Sequence, residues 1–427
     1  MANMNELTGR LSHGALDERL CEIYGCNKNA AGYYSERFIS AISGFESFFG
    51  QHQDIELFSA PGRTEICGNH TDHQHGCVVA ASVCYDTIAC VSKSDENIIR
   101  IKSEGHELCE VCLDSLEAVL DEKNNSRALI RGVAAGFFEK GYKIGGFDAY
   151  TTTNVLKGSG MSSSAAFEVL VGTIINELFC FGKESAVEIA KISQLSENVY
   201  FGKPSGLMDQ LACAVGGIIA VDFKNIDCPE ITKINYDFKK SEYCLCIIDT
   251  GADHADLTHE YAAIPKEMGE VSAFFGKKYL SEVPYVEFLD KLSVIKSAVS
   301  GRAILRAVHF FRETARAKEL AAALKNENVC EFLKLVNESG RSSFMYLQNI
   351  VSLTRPEKQE VALCLALCER LLGNDGAFRV HGGGFAGTVQ AFVPAEKAES
   401  FKKDIDKIFG NGRCHILAVR NYGAIRI

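Results

Sequence analysis

Apolar positions recur at helical spacing early in the chain, in Phe38, Ile39, Ala41 and Ile42 and then Phe45, Phe48 and Phe49. They predict one or two helices over residues 15–50. The texture then changes. Residues 55–58 are strand-like, and Pro61, Gly62 and Gly68 frame a turn and a short strand over 60–68. β-Branched runs at 78–91 and 98–113 predict further strands. Residues 147–155, rich in Thr and aromatics, read as a strand that leads into a glycine-bearing loop at 157–160. A helix follows over 165–179, with Leu170, Val171, Ile174, Ile175 and Leu178 at helical intervals and Ser162, Ser163 and Ser164 as candidate caps. The next helix, 184–200, stops at Gly202 and Pro204 and carries Glu197 in its last turns.

The polar stretch 222–240, with Asn225, Asp227, Cys228 and Pro229, predicts a boundary between halves at 1–228 and 229–427. A buried-looking strand at 244–250, helical segments through Leu372 and a β-rich end at 377–393 and 415–427 complete the pattern. Strands and helices interleave in both halves, so the expected fold class is α+β with two lobes.

Composition narrows the function. The chain has 427 residues, 47% hydrophobic and 23% charged, which is long enough for two or three globular units. A formal net charge of −10 argues against nucleic acid or an anionic membrane as partner, since both are held by clustered Lys and Arg. A single nucleotide is not excluded, because backbone N–H groups and a helix N-terminus suffice to hold its phosphates. Residues 1–22 carry no apolar signal-peptide core and no uninterrupted run reaches membrane-spanning length, so a cytoplasmic location is expected. The seventeen cysteines are then read as reduced thiols. Cys109 and Cys112 have C-x-x-C spacing, but they lie in a strand-like run with no second ligand pair for zinc.

Three segments carry candidate chemistry. Residues 155–166, with Gly158, Ser159, Gly160, Met161, Ser162, Ser163 and Ser164, stand between a strand and a helix. Small residues let backbone approach an anion and the helix presents unpaired N–H groups, so the segment is either a phosphate cradle or an ordinary helix cap. It is not a Walker loop, because Gly-Lys-Ser/Thr is missing. The second is Gly62-Arg63 followed by Gly68-Asn69-His70-Thr71-Asp72-His73-Gln74-His75-Gly76. Its polar density suits a sugar, a metal held by His70, His73, His75 and Asp72, or a solvated turn. The third, residues 202–210, is a Pro/Gly turn that delivers Asp209 as a base, a metal ligand or a cap.

In this order the segments resemble the GHMP kinase superfamily, and within it the galactokinase family. Residues 61–72 are similar to that family's sugar signature, Gly160-Met161-Ser162-Ser163-Ser164-Ala165 to the superfamily's ATP loop, and His381-Gly382-Gly383-Gly384-Phe385-Ala386-Gly387 to its late glycine motif. The resemblance implies a ribosomal-protein-like N-terminal lobe, a ferredoxin-like C-terminal lobe and an active site between them. It implies a sugar kinase that uses ATP and Mg²⁺ to make galactose 1-phosphate, with a small-molecule sugar as partner and no nucleic acid, membrane or obligate protein partner.

Carried over position by position, Asp209 matches the catalytic base and Arg63 the arginine beside it. Ser164 and Glu197 match the Mg²⁺ ligands, residues 158–164 the phosphate loop, and Ser103 a further nucleotide contact. Asn69, His70, Thr71, Asp72, Gly206 and Tyr261 match the sugar pocket.

Two signature positions depart from the family, with Asn69 in place of the usual Glu and His73 in place of Tyr. Neutral Asn69, if it faced the exocyclic end of the sugar, would repel a C6 carboxylate less, so galacturonate stands as an alternative substrate. Lys157 and Ser159 also differ from the usual loop residues. A catalytically silent galactose sensor is the competing reading, against which Ser162 to Ala165, Glu197, Arg63 and Asp209 are all present. The sugar signature in turn speaks against a superfamily member acting on mevalonate-type or amino-acid alcohols.

Overall fold

The computed structural model describes residues 3–155, 160–238, 240–252, 257–385 and 387–427. Within them, the strands are β1 (Glu56–Cys67), β2 (Cys77–Lys93), β3 (Ile98–Ser103), β4 (Leu108–Cys112), β5 (Phe147–Thr153), β6 (Ile218–Asp222), β7 (Glu230–Ile234), β8 (Tyr243–Asp249), β9 (Ala377–His381), β10 (Thr388–Pro394), β11 (Cys414–Leu417) and β12 (Ile425–Arg426). They form two sheets, which gives the two-lobed α+β fold expected of the GHMP kinases.

The first sheet runs β12-β1-β2-β5-β3-β4, and β6 and β7 extend it from the far end of β2. The long β2 makes this branching possible. Its later half pairs with β5 from Thr87 onward, while Cys77 to Ala81 pair with β6. One face is covered by the helices Ser126–Glu139, Ser163–Phe179, Ala186–Leu195 and Met208–Val215, whose apolar faces fill the main core. Early helices, among them Lys28–Phe49, cover the opposite face, with Phe38 and Phe45 against Leu57, Ile88 and Cys90.

The second sheet is antiparallel in the order β11-β8-β10-β9. Counted along the chain that is fourth, first, third, second, the ferredoxin-like arrangement. Helices Glu360–Leu372 and Ala398–Phe409 pack one face through Val361, Cys364, Cys368, Phe401 and Ile405. The other face contributes Leu245, Ile247 and Phe392 to a core shared with Val79, Ala81 and Val83 of β2 and with helix Val329–Ser342, which joins the lobes.

Four sequence expectations change. The turn and short strand expected at 60–68 belong to one twelve-residue strand. Register shifts at Pro61/Arg63 and Glu65/Cys67 absorb Pro61, which has no N–H to donate, as bulges. The run 98–113 is a hairpin, β3 and β4, and puts Cys109 and Cys112 on its outer strand. The helix expected over 184–200 is α-helical only as Ala186–Leu195, and Ser196–Phe201 continues as a π turn. Finally, the boundary expected at 228/229 falls between β6 and β7, which pair with each other, so the first sheet extends to Ile234.

Candidate active site

The first bulge of β1 turns Arg63 toward the start of helix Met208–Val215. Arg63 is buried, and its guanidinium forks Asp209 with Nε to Oδ1 at 2.6 Å and Nη2 to Oδ2 at 2.7 Å. Its third nitrogen donates to the Gly160 carbonyl. The Ser162 hydroxyl donates to Asp209 Oδ2, so the candidate base is gripped from the β1 strand and from the glycine loop together. Burial alone would raise the Asp209 carboxyl, but the Arg63 charge and hydrogen bonds, with Ser162 and Lys203, hold it at about 2. The carboxylate is therefore ionised throughout the physiological range.

Ser162 adopts a left-handed backbone with φ 55°, and helix Ser163–Phe179 begins directly after it. Its side chain makes no cap bond, contrary to expectation, because the hydroxyl is used by Asp209. Gly160, at φ +69°, lies so close to the second lobe that a Cβ there would come within 2.5 Å of Thr388 Oγ1 and 2.9 Å of His381 Nδ1. Of the expected phosphate loop, Gly158 and Ser159 lie outside the described residues. The Met161 side chain is buried in the shared core, and its carbonyl accepts the Arg63 N–H at 3.1 Å. Its backbone alone is left to meet a nucleotide. Ser103 ends β3 opposite Thr151, whose hydroxyl donates to it at 2.8 Å.

One helical position on, Ser164 Oγ donates to Glu197 Oε1 at 3.0 Å. The π turn presents Glu197, which is buried, and Lys203 Nζ reaches the same oxygen at 2.8 Å. Burial would lower the Lys203 ammonium, but the Glu197 charge raises it on balance. A hydroxyl and a carboxylate oxygen converging at a helix start are the hard donors that Mg²⁺ takes, so these residues fit that ion. Among the described residues no group of three or more His, Cys, Asp or Glu is placed to hold a metal, which leaves the His70, His73 and His75 cluster without that role.

The sugar signature is stitched to the late glycine motif. Asn69 Nδ2 donates to the Gly382 carbonyl at 2.7 Å, His70 Nε2 to that of Gly383 at 3.0 Å, and the Tyr261 hydroxyl to that of Gly384 at 2.9 Å. His70 thus carries its proton on Nε2, and burial, with the neighbouring His73, lowers its pKa to about 3. Burial pushes the Tyr261 hydroxyl up to about 12.

The expected role of Asn69 at the exocyclic end of a sugar does not match this placement. Asn69 is fully buried, its second N–H side approaches Glu65 Oε2 at 3.3 Å, and its carbonyl accepts from Asn349 at 2.8 Å and Ser343 at 3.3 Å. Thr71 is also turned inward, its hydroxyl 2.9 Å from the Gly68 carbonyl and 2.8 Å from that of Cys77. Both shape the loop from behind. Asp72 is half-buried and lies against Gly206, where a Cβ would run into Oδ2 and come within 2.6 Å of Cγ. A side chain at 206 would displace that carboxylate from its place. His75 stacks on Tyr279 with ring centroids 3.7 Å apart, a packing role.

Three further polar residues stand at the site, Lys203, Gln210 and Glu168. Lys203 and Gln210 lie inside the third motif, with nothing in their spacing to set them apart beside Asp209. Glu168 is the one charge in the apolar run 165–171, and that mismatch was its signal.

Comparison with known proteins gives the family. Residues 128–217 match the family described as GHMP kinases N terminal domain, which defines the class as ATP-dependent small-molecule kinases. Residues 43–93 match the galactokinase galactose-binding signature. The chain is 30% identical to a galactokinase of Clostridium tetani over 86% of its own length and 92% of the relative's, and 27% identical to one of Streptomyces coelicolor over 86% and 91%. In fold it is similar to a crystal structure of Lactococcus lactis galactokinase complexed with galactose, at a TM-score of 0.79 and 24% identity, covering 91% of this chain and 100% of that one. The Methanococcus jannaschii mevalonate kinase is a more distant neighbour, at TM-score 0.62 and 14% identity over 86% of this chain and 99% of that one. The chain belongs to the galactokinase family, and is a phosphotransferase acting on a sugar hydroxyl. A galacturonate kinase and a silent sensor are not favoured by these relatives. Among the described residues no helix is long and apolar enough to cross a membrane.

Proposed function

We propose that this protein transfers the γ-phosphoryl group of ATP to the anomeric hydroxyl of galactose, giving galactose 1-phosphate and ADP. The observation that carries the reading is the Arg63 fork on Asp209, held beside the start of helix Ser163–Phe179. Asp209 would orient the anomeric O–H as acceptor. With its carboxyl at about 2 it is a weak base, so the proton leaves late. The sugar oxygen–phosphorus bond forms, the β,γ-bridging bond breaks toward ADP, and the O–H proton passes to Asp209 as the oxygen loses basicity. Such a loose transition state asks mainly for positioning and charge, which Arg63, Lys203 and the helix N-terminus supply.

Ser164 and Glu197 would hold Mg²⁺, which when bound neutralises charge on the β- and γ-phosphates. Gly160, Ser163 and the Met161 backbone would line the triphosphate, and Ser103 would stand nearby. Asp72, His70 and Tyr261 would contact the sugar, with Gly206 leaving room for Asp72. A reducing, cytoplasmic compartment suits a chain with seventeen cysteines.

The test is ADP release by purified protein against galactose, galacturonate, fucose, arabinose, glucose and N-acetylgalactosamine. Turnover is expected to be highest with galactose. Measurable galactose binding without turnover on any sugar would overturn the reading in favour of a sensor.

A further inference from the structure

Behind Glu197 lies a second pair of polar side chains that faces no reactant. Glu168 and Gln210 are both fully buried. Glu168 stands one turn after Ser164 on helix Ser163–Phe179, and Gln210 directly follows Asp209. Gln210 Nε2 donates to Glu197 Oε2 at 2.9 Å and to Glu168 Oε2 at 3.2 Å. An amide nitrogen has two hydrogens, so both bonds form at once.

The consequence is a divided carboxylate. Glu197 Oε1 faces Ser164 and Lys203, while Oε2 is tied back into the interior. The terminal torsion of a glutamate is broad and two-fold, so without a partner for Oε2 nothing on that side would select one orientation. Glu168 Oε1 and Gln210 Oε1 are buried without a hydrogen-bond partner. Each such oxygen gives up its hydration with nothing in return. Two apolar side chains would fill the same space without that cost, so packing alone does not account for the pair. Burial, with the Glu197 charge beside it, pushes the Glu168 carboxyl well up.

We propose that Gln210 is a positioning residue for phosphoryl transfer: it holds Glu197 Oε2 so that Oε1 points to the metal position beside Ser164, with Glu168 as its anchor. Because Gln210 neighbours Asp209, the same residue keeps the metal-facing carboxylate and the base in one register. The inference rests on the reading of Glu197 as a Mg²⁺ ligand.

The test compares wild type with Gln210→Leu and Gln210→Asn, the latter keeping the amide one methylene short. Calorimetry gives ADP affinity with and without Mg²⁺, and steady-state kinetics gives the galactose KM and the Mg²⁺ concentration for half-maximal rate. Gln210→Leu is expected to weaken Mg²⁺-dependent ADP binding by about 10-fold or more, the usual cost of losing a residue that orients a metal ligand. Metal-free ADP affinity and galactose KM should stay near wild type, and Gln210→Asn should shift the same way by less. If the Leu variant does not fold, the Asn variant decides alone. Mg²⁺ dependence equal to wild type, or a parallel loss of sugar, metal-free ADP and MgADP binding, overturns the proposal. A wild type whose ADP affinity ignores Mg²⁺ would instead remove the metal reading of Glu197, and this proposal with it.

Discussion

Replacing Asn69 by Asp keeps shape and volume while changing only what the side chain offers its neighbours, and it separates two accounts of this position. In the structure the Asn69 amide nitrogen serves the Gly382 carbonyl at 2.7 Å and lies 3.3 Å from Glu65 Oε2. Aspartate would aim an oxygen at both. Stranding the Gly382 carbonyl costs about 1–3 kcal/mol. A carboxylate facing that of Glu65 in a buried site adds a charge penalty, and uncompensated buried charges of this kind cost about 3–5 kcal/mol. The bonds from Asn349 and Ser343 recover part of this, so a net loss of about 3 kcal/mol is expected at pH 8. At a urea m-value near 3 kcal/mol/M, the midpoint should fall by about 1 M.

The sign with pH follows. The introduced carboxyl has a folded pKa raised above its unfolded value of about 3.9, so the penalty is small near that value and grows as pH rises through the folded pKa. Urea midpoints at pH 5, 7 and 8 measure this, followed by far-ultraviolet circular dichroism because the chain has no tryptophan. The gap between Asn69→Asp and wild type should widen with pH. A variant with wild-type midpoints and an altered preference between galactose and galacturonate would refute the reasoning, because Asn69 would then face the sugar.

Asp209→Asn should lower kcat by about 10²–10⁴-fold with MgADP affinity little changed, measured by ADP release and calorimetry, if the carboxylate acts on the sugar hydroxyl as proposed. Gly206→Ala should raise the galactose KM by about 10-fold or more, because the methyl occupies the space of the Asp72 carboxylate, and galactose titration calorimetry would report the loss directly. Asp209 also makes stability pH-dependent. Its pKa falls from 3.8 unfolded to about 2, so the Arg63 pair contributes about 2 kcal/mol that is present above pH 4 and lost as pH falls toward 2. Asp209→Asn should abolish that part of the acid-unfolding profile.

Much of the frame was legible because its signals are local. The apolar period of 165–179 and the strand composition of 147–155 each report backbone requirements that hold wherever the segment packs, whereas the late glycine motif was legible only through the family resemblance. The register shifts in β1 were not legible, since they depend on how β2 pairs across Pro61 and Gly62, a contact distant in sequence. Asn69 shows the same limit for chemistry. Its type matched a hydrogen-bonding role, but whether it faces a sugar or Gly382 is fixed by residues some three hundred positions later. Gln210 was hidden for a related reason, because a side chain that serves other side chains leaves no spacing rule in the chain, and Glu168 showed only as a lone charge in an apolar run.

The pairing of β12 with β1 bears on how the protein is made. Phe58 and Ser59 pair with Arg426 and Ile425, Val83 bridges to Val419, and Arg420 is buried against Asp86. The edge of β1 therefore lacks its neighbour until Ile425 and Arg426 have been synthesised. At about 5–20 residues per second, the gap is on the order of tens of seconds. Throughout that interval the nascent chain carries an open strand edge beside an incomplete core, the kind of surface on which other chains nucleate. Delay at the ribosome or loss of residues 418–427 would thus be felt first as aggregation, while every residue proposed to touch a substrate is already in the polypeptide.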